Sequence, residues 1–235
     1  MAVKTVIFDG SSKKLLKCDR EDQIVLEFLD GESVFDNEKK AKFKKKGVLR
    51  KSITEAVFSF LDSYNIPNHF IKAENERGLR VRKLDMIPMA VVIRNVASGN
   101  LCRRFKIKEG MALKYPVIEY YLKDDELNNP FIAESHAYAF EYAAPEEMKH
   151  IARLASKVNA VLKSFLERRK LKLISYKLEF GRWLNQIYLG DEISPDTSNL
   201  WHIDEDNGLD KKYYNFENNG ANEAYNEIYQ RILGK

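Results

Sequence analysis

The sequence predicts an α+β fold, because strand-like and helix-like segments fall into separate groups along the chain and do not alternate regularly. The clearest strand signal covers residues 174–180, where polar and apolar side chains alternate. The clearest helix signal covers residues 146–169, where apolar residues recur three and four positions apart and Pro145 suits the first turn. A length of 235 residues suits one large domain or two closely packed lobes.

The N-terminal segment predicts three short strands, over residues 5–8, 14–17 and 24–28, separated by two polar turns. The first turn contains the sequence GSSKK at residues 10–14, and such a turn can present backbone N–H groups and a lysine to a phosphate. Most Gly-Ser turns only close a hairpin, and that alternative is the stronger one for this pattern taken alone.

Residues 39–51 are rich in lysine and arginine, which permits an RNA-binding or membrane-surface role. A solvated loop leading into a helix is favoured, because Phe43 is the single aromatic residue among these charges. The helix that follows has an apolar stripe and ends near residues 65–67. His69 comes next, and we expect it to be structural because no partner motif adjoins it.

The middle of the chain predicts four more strands, over residues 69–72, 79–84, 89–93 and 115–123. After the third of them, Arg94 precedes a glycine-containing turn and the start of a short helix, an arrangement that suits an anion. A basic cluster on the surface explains the same pattern equally well. A final helix is predicted over residues 221–233.

Residues 174–189 predict a β-hairpin that carries polar side chains on one face. Ser175, Lys177 and Glu179 share that face of the first strand, and residues 186–189 form the returning strand. Gly181 and Asn185 are expected to bracket the turn.

A hairpin that is symmetric about Asn185 places Glu179 opposite Asp191. Directly paired residues have Cβ atoms about 4.5–5.5 Å apart, so the two carboxylates would repel unless one is protonated or both share a cation. Because Lys177 lies on the same face, we expect the shared cation to be a phosphate-bound Mg²⁺. A surface hairpin with a Lys–Glu pair is the equally weighted alternative.

Composition excludes several classes of protein. The net charge of +4, from 39 basic and 35 acidic residues, is too balanced to indicate a nucleic-acid-binding protein. Cys18 and Cys102 are far apart, which argues against a disulfide scaffold or a zinc site and fits a reducing, cytoplasmic setting. No apolar run is long enough to predict a membrane span, and no signal peptide is expected.

Three motifs, in this order, resemble those of the phosphoribosylaminoimidazole-succinocarboxamide synthases, or SAICAR synthetases. They are IPMAVVIRNVASG at residues 87–99, LEFG at 178–181 and DEISPD at 191–196, the last followed by Leu200-Trp201. The resemblance extends over nearly the whole chain, including residues 106–110 and 123–127. It implies a two-lobed α+β fold of antiparallel sheets and packed helices, with an ATP cleft between an N-terminal lobe, 1–84, and a C-terminal lobe, 85–235.

The resemblance also implies an activity, that of an ATP-dependent carbon–nitrogen ligase of de novo purine biosynthesis. Such an enzyme joins L-aspartate to the carboxylate of carboxyaminoimidazole ribonucleotide (CAIR), through an acyl phosphate, and releases ADP and phosphate. The implied ligands are ATP, Mg²⁺, CAIR and L-aspartate, without nucleic acid or membrane and with a homo-oligomer possible.

The resemblance implies a role for each residue that matches a functional position of the family. Lys177 and Arg94 are implied to be catalytic, and Glu179 and Asp191 to bind Mg²⁺. The implied ATP-binding residues are Gly10, Ser12, Lys13, Leu84, Met86 and Lys123. The implied substrate-binding residues are Arg94, Asp196, Asn100 and Asn199.

Several positions depart from the family pattern, mostly where it meets the ribonucleotide and aspartate. They are Ser11, Arg50, Lys51, Ala90, Asn100, Ser175, Asn199, Lys212 and Asn215. Asn199 replaces an arginine, and an asparagine cannot make the same charge-assisted hydrogen bonds to a phosphate. Two alternatives therefore stand beside SAICAR synthesis: ligation of a changed acid or amine, and a catalytically weak nucleotide-binding homologue.

Overall fold

The computed structural model describes residues 5–31, 33–35, 38–40, 45–206, 208–210 and 220–234. The predicted α+β class is confirmed, since helices pack beside antiparallel sheets. The elements, in chain order, are β1 (Val6–Asp9), β2 (Lys13–Lys17), β3 (Gln23–Phe28), β4 (Ser33–Phe35), β5 (Glu38–Lys40), α1 (Lys46–Asp62), β6 (Phe70–Ala73), β7 (Gly78–Arg82), β8 (Asp85–Val96), α2 (Gly99–Phe105), β9 (Ala112–Leu122), β10 (Phe131–Ile132), α3 (Glu134–Ala139), α4 (Pro145–Glu167), β11 (Leu171–Trp183), β12 (Gln186–Gly190), β13 (Ser198–Ile203), β14 (Leu209–Asp210) and α5 (Gly220–Leu233).

The smaller of the two main sheets is built from the N-terminal part of the chain. Its five strands run antiparallel in the order β1-β2-β3-β7-β6. Its apolar side chains form a small cluster of Leu26, Phe28, Leu79 and Val81. Strands β4 and β5 form a separate two-stranded ribbon.

The larger sheet forms one wall of the cleft that is described in the next section. Its antiparallel strands run in the order β10-β9-β8-β11-β13-β14, and β12 pairs with the C-terminal half of β11. One face packs against α4, whose apolar stripe meets Tyr176, Leu178 and Phe180 in the main core. The opposite face, called the site face below, carries Lys177 and Glu179.

Helix α1 belongs to the main core although it lies early in the chain. Its apolar residues Ile53, Val57, Phe58 and Leu61 pack in the same cluster as residues of α4, α5 and β11. The division into lobes 1–84 and 85–235 stays a prediction. No helix of the described residues is long and apolar enough to cross a bilayer.

The expectation of a solvated basic segment over residues 39–51 is wrong for its last part. Lys46, Arg50 and Lys51 are buried within α1. Burial of these charges is possible because acidic side chains lie beside them, with Asp196 3.0 Å from Lys46 Nζ and Glu55 2.6 Å from Lys51 Nζ. Residues 41–44 of the segment lie outside the described residues, as do Lys212 and Asn215.

The β11–β12 hairpin is present, but its predicted register is wrong by one residue. Glu179 pairs with Gly190, and Trp183 pairs with Gln186, so the turn consists of Leu184 and Asn185 alone. Both turn residues have positive φ, 47° and 61°, as the favoured two-residue hairpin turn requires. Gly181 therefore lies within the strand, and Asp191 lies one position beyond the paired residues.

Candidate active site

A cleft of about 670 Å³ lies between the five-stranded sheet and the site face of the larger sheet. One end is apolar and is lined by Leu15, Ile24, Leu26, Val81, Leu84 and Met86. The other end is charged and is lined by Lys13, Arg50, Lys123, Lys177, Glu179, Asp191, Glu192 and Asp196. The cleft thus offers an apolar pocket joined to a highly charged one, which suits a ligand with one apolar and one ionic part.

Lys177 and Glu179 project from β11 onto the site face, because alternate residues of a strand point the same way. Lys177 Nζ lies 2.7 Å from Glu179 Oε1 and 3.7 Å from Asp191 Oδ2. Lys123 Nζ contacts the other oxygen of Glu179. Burial alone would lower the pKa of Lys177, but the two carboxylates outweigh it and raise this pKa, so the side chain is held as a cation.

Lys13 enters the charged end from the start of β2, after the turn that contains Gly10. The turn is closed by a hydrogen bond from Gly10 N to Lys13 O, 3.0 Å, and is tied to the next strand by Leu29 N donating to Ser12 O, 2.9 Å. Lys13 Nζ contacts Asp191 and lies 3.0 Å from Glu192 Oε1. The turn therefore delivers a lysine to Asp191, which also faces Lys177.

The backbone of Asp191 adopts an unusual conformation. Its φ is 56°, in the left-handed region, directly after Gly190 ends β12. Burial would raise the pKa of its carboxyl group, but Lys13 and Lys177 outweigh burial and hold this pKa well below its ordinary value. A strained acidic residue between two lysines is typical of a functional site.

His69 lines the cleft beside Asp191, at the point where the two sheets meet. Its backbone N–H donates to Leu189 O, 2.9 Å, and its ring packs edge-on against Phe58 at 5.3 Å between centroids. Burial lowers the pKa of His69 to about 4, so the ring is neutral near neutral pH. These contacts agree with the structural role expected from the sequence, although they also bring His69 to the wall of the site.

A second layer of charges lies beneath the first. Glu192 accepts hydrogen bonds from Arg50 Nη2, 2.5 Å, and from the hydroxyl of Ser194, 2.8 Å. Asp196 Oδ2 is 3.0 Å from Lys46 Nζ and 3.2 Å from Arg50 Nε. Asp196 Oδ1 is buried and has no hydrogen-bond partner among the described residues, although the residue lines the cleft. An unpaired buried acceptor at a cleft wall is a candidate contact for a ligand N–H.

The acidic pair fits a divalent cation that arrives with phosphate. Among the described residues, no group of three or more His, Cys, Asp or Glu side chains is placed to hold a metal ion. Mg²⁺ is usually held by one or two carboxylates together with phosphate oxygens and water. Glu179 and Asp191, both facing Lys177 Nζ, supply that number of carboxylates.

The apolar end of the cleft is shaped by close contact between a strand and residues 84–86. A Cβ placed on Gly181 would lie 2.7 Å from Leu84 Cβ and 2.9 Å from Asp85 O. At Gly190 the nearest atom would be Leu84 Cδ1, at 3.2 Å. The two glycines therefore allow residues 84–86 to lie directly on the β11–β12 hairpin.

Arg94 and its neighbours form a separate part of the site face and do not line the cleft. Arg94 pairs with Ser175 across the β8–β11 ladder, and Ser175 pairs with Asn199 on its other side. Arg94 Nε donates to Glu119 Oε2, 2.6 Å, with both side chains buried. Asn100 lies in α2, where its side-chain oxygen accepts from Arg103 Nε, 3.2 Å.

The structure therefore brings together most of the site residues that the sequence predicts. The cleft is lined by Ser12, Lys13, Leu84, Met86, Lys123, Lys177, Glu179, Asp191 and Asp196. Gly10 shapes the turn but is not part of the lining, and Arg94, Asn100 and Asn199 lie off the cleft. Sequence reasoning assigned no role to Arg50, Lys46 or Glu192. Glu192 lies inside the DEISPD motif, and Arg50 was noted only as a departure from the family pattern.

The fold and the cleft define an α+β protein with an ionic site between two antiparallel sheets. The chain matches the model of the SAICAR synthetase family over residues 6–232. It is 40% identical over 233 residues to the phosphoribosylaminoimidazole-succinocarboxamide synthase of Chlorobium limicola, and the match covers 99% of each protein. The chain therefore belongs to the SAICAR synthetase family.

Solved structures agree with that assignment. Phosphoribosylaminoimidazole-succinocarboxamide synthase from Ehrlichia chaffeensis is 34% identical and superposes with a TM-score of 0.89, over 98% of this chain and 99% of that one. A SAICAR synthetase in complex with ADP is 39% identical, with a TM-score of 0.89 over 98% of each chain. The family and fold that the sequence motifs predict are thus confirmed.

Proposed function

We propose that this protein is an ATP-dependent ligase that joins L-aspartate to CAIR in purine biosynthesis, giving SAICAR, ADP and phosphate. Besides family membership, one observation carries the proposal. Three lysines, at positions 13, 123 and 177, converge on Glu179 and Asp191 at the charged end of a cleft whose other end is apolar. This arrangement suits a purine nucleotide whose phosphates meet a divalent cation.

The reaction needs the charged end because a free carboxylate resists attack by an amine. Transfer of the terminal phosphoryl group of ATP to the CAIR carboxylate breaks a P–O bond to ADP and forms an acyl phosphate. The amine of aspartate then attacks the acyl carbon, loses a proton and expels phosphate. Most of the catalytic effect comes from aligning the groups and stabilising phosphoryl charge.

Each charged residue has a role in that scheme. Glu179 and Asp191 would hold Mg²⁺, which when bound neutralises charge on the phosphate oxygens. In the free protein Lys13 contacts Asp191 and Lys177 contacts Glu179, so both lysines are placed to transfer their contacts to phosphate oxygens. Lys13 would meet the phosphates of the bound nucleotide, and Lys177 the phosphoryl group in transfer.

The remaining assignments follow the layout of the cleft. Gly10 and Ser12 would shape and line the phosphate turn, Lys123 would add a cation beside Glu179, and Leu84 and Met86 would border the purine. Asp196 would accept a hydrogen bond through Oδ1, which has no partner within the part of the chain that the structure describes. The ribonucleotide substrate would extend from Lys177 along the site face toward Arg94, Asn100 and Asn199. We further propose a cytoplasmic location, a possible homo-oligomer, and no nucleic-acid or membrane partner.

The test is an assay in which each component is omitted in turn. Purified protein receives ATP, MgCl₂, L-aspartate and CAIR, and the release of ADP is followed. We expect turnover only when all four are present. The proposal fails if the protein binds ADP with Mg²⁺ yet shows no turnover that depends on both CAIR and aspartate.

One structural feature favours a second candidate, ligation of a different acid. Ser175 and Asn199 face each other beside Arg94, and the Arg94 guanidinium is already bound by the buried Glu119. Neutral side chains beside a neutralised arginine hold a phosphate weakly. Turnover with an unphosphorylated carboxylic acid in place of CAIR, at a higher kcat/KM, would favour this candidate.

A further inference from the structure

Arg50 is a fully buried cation whose position in the basic segment gave no hint of its contacts. It lies on α1, its relative exposure is 0%, and its guanidinium packs over the ring of Phe28 at 5.4 Å. Burial alone would lower its pKa, but Glu192 and Asp196 outweigh burial and raise it, so the guanidinium stays charged. Burying a charge costs free energy unless its hydrogen-bond donors find acceptors, so the partners of Arg50 are important.

The guanidinium joins two segments that adjoin different sheets. On one side, Arg50 Nη1 donates to Ser12 O, 3.2 Å, and to Leu29 O, 3.3 Å, on the turn and strand end of the small sheet. On the other side, Nη2 and Nε donate to the two carboxylate oxygens of Glu192, at 2.5 and 3.2 Å. The planar fork of arginine makes this two-sided contact, and a lysine amine cannot reproduce it.

These two segments carry the groups that would meet a nucleotide's phosphates. Ser12 directly precedes Lys13, and Glu192 directly follows Asp191. Lys13 also spans the gap, through contacts with Asp191 and Glu192, but it does so from the cleft side. When phosphate binds Lys13, those contacts weaken because the anion competes for the same amine. The Arg50 contacts remain, since the side chains of Arg50 and Glu192 are almost fully buried even though both residues line the cleft.

We infer that Arg50 is a positioning residue that fixes the distance between the phosphate turn and the pair Asp191–Glu192. The inference rests on the proposed function, because it assigns Arg50 to the nucleotide site of that enzyme. It acts through Ser12 and Glu192 and does not itself touch the reacting atoms. Its loss should therefore impair ligands that bridge the turn and the carboxylates, and should spare ligands held only in the apolar pocket.

The test compares two nucleotides by isothermal titration calorimetry, ADP with MgCl₂ and AMP without metal. ADP with Mg²⁺ has a bridging diphosphate, whereas AMP depends mainly on the purine pocket. For Arg50→Lys we expect the affinity for ADP with Mg²⁺ to fall about 10- to 100-fold, the range for loss of a charged bidentate contact. The affinity for AMP should change less than about threefold.

A matched control and a second variant keep the result interpretable. Arg182→Gln removes another arginine, which lies outside the cleft and donates hydrogen bonds of 2.5 and 3.0 Å to Glu147. This control should leave the ratio of the two affinities unchanged. If Arg50→Lys does not fold, the double variant Arg50→Gln with Glu192→Gln removes both charges together. In it Asp196 keeps its ion pair with Lys46 and Lys13 keeps its ion pair with Asp191, and it should show the same selective loss.

The possible outcomes separate this inference from the function on which it rests. Wild-type protein that binds neither nucleotide would overturn both. Wild-type protein that prefers ADP with Mg²⁺, while the Arg50 variants keep the same preference, would overturn the role of Arg50 alone. A proportional loss of both affinities, accompanied by a lower melting temperature, would show a merely structural role and would also overturn it.

Discussion

Lys177 Nζ lies 2.7 Å from Glu179 Oε1, and the two residues are next neighbours on the same face of β11. Because Nζ is also 3.7 Å from Asp191, the lysine lies between the two carboxylates proposed to hold the metal. In the free protein it supplies the positive charge that the cation would supply in the complex. Its contribution should therefore appear in the chemical step more than in nucleotide binding.

We predict that Lys177→Met lowers kcat by about 10²- to 10³-fold, the typical cost of removing one group that stabilises transition-state charge. The affinity for ADP, which lacks the transferred phosphoryl group, should change less than about threefold. Steady-state kinetics and calorimetry measure the two quantities. As a control, Lys172→Met removes a lysine of the same strand that binds Glu167 at 2.7 Å, and its kcat should be that of the wild type. Equal losses of kcat and ADP affinity in Lys177→Met would contradict this assignment.

Asp191→Asn should abolish most turnover while preserving the fold. Asparagine tolerates the left-handed φ of 56°, and neither lysine is left without an acid, since Lys13 keeps Glu192 and Lys177 keeps Glu179. We expect turnover to fall at least about 100-fold. The melting temperature should shift by less than about 4 °C, or roughly 1 kcal/mol.

Thermal melts and an ADP-release assay across a range of MgCl₂ concentrations test Asp191→Asn. The half-saturating Mg²⁺ concentration should rise, because one of two carboxylates has become a neutral amide. Asp85→Asn is the control, since Asp85 is an exposed acid 3.4 Å from Arg182. An Asp191→Asn enzyme with unchanged turnover would remove the basis for the metal site.

Much of the fold could be predicted from local patterns, since β11, α4 and the β11–β12 hairpin all follow the periodicity of their own residues. The hairpin register could not. It depends on Leu184 adopting a left-handed φ of 47°, which leucine rarely does, so the sequence favoured a turn centred on Asn185. That difference moved Asp191 from a paired position to one beyond the strand.

The site was predictable to the extent that its residues lie in contiguous motifs. Glu179, Asp191 and Asp196 come from two motifs on one hairpin and the loop after it, and Lys177 directly precedes the first motif. Arg50 comes from α1, 142 positions before Glu192, and a buried arginine has the same sequence signature as a solvated one. Only long-range packing decides between them.

The contact of Glu147 with Arg182 gives a pH-dependent prediction for stability. Arg182 donates two hydrogen bonds to this carboxylate, 2.5 and 3.0 Å, and they lower the pKa of Glu147 below its ordinary value of 4.5. A carboxyl group with a lowered pKa in the folded state stabilises the protein above its unfolded pKa. The stabilisation is lost as the pH falls through the folded-state pKa.

Glu147→Gln should therefore lower the free energy of unfolding by about 1 kcal/mol near neutral pH, because the ion pair is partly exposed. The difference from the wild type should shrink as the pH falls below 4.5. Urea denaturation at a series of pH values measures it. Glu146→Gln changes an exposed neighbour in the same helical turn and should show no such dependence. A difference that is constant with pH would rule out the electrostatic origin.

The two glycines beneath residues 84–86 provide a graded test of the apolar pocket. In Gly181→Ala the new Cβ would meet Leu84 Cβ at 2.7 Å and Asp85 O at 2.9 Å, so residues 84–86 must move. Such overpacking costs about 1–3 kcal/mol, and because Leu84 and Met86 line the pocket, AMP affinity should fall roughly tenfold.

Gly190→Ala should produce the same effects in weaker form. Its nearest contact is the flexible end of Leu84, at 3.2 Å, followed by the terminal methyl of Met86 at 3.3 Å, and both can yield by a few tenths of an ångström. Thermal melts and AMP titrations should therefore rank wild type, Gly190→Ala and Gly181→Ala in order of decreasing stability and affinity. If Gly181→Ala loses stability but binds AMP as tightly as the wild type, Leu84 and Met86 do not border the purine.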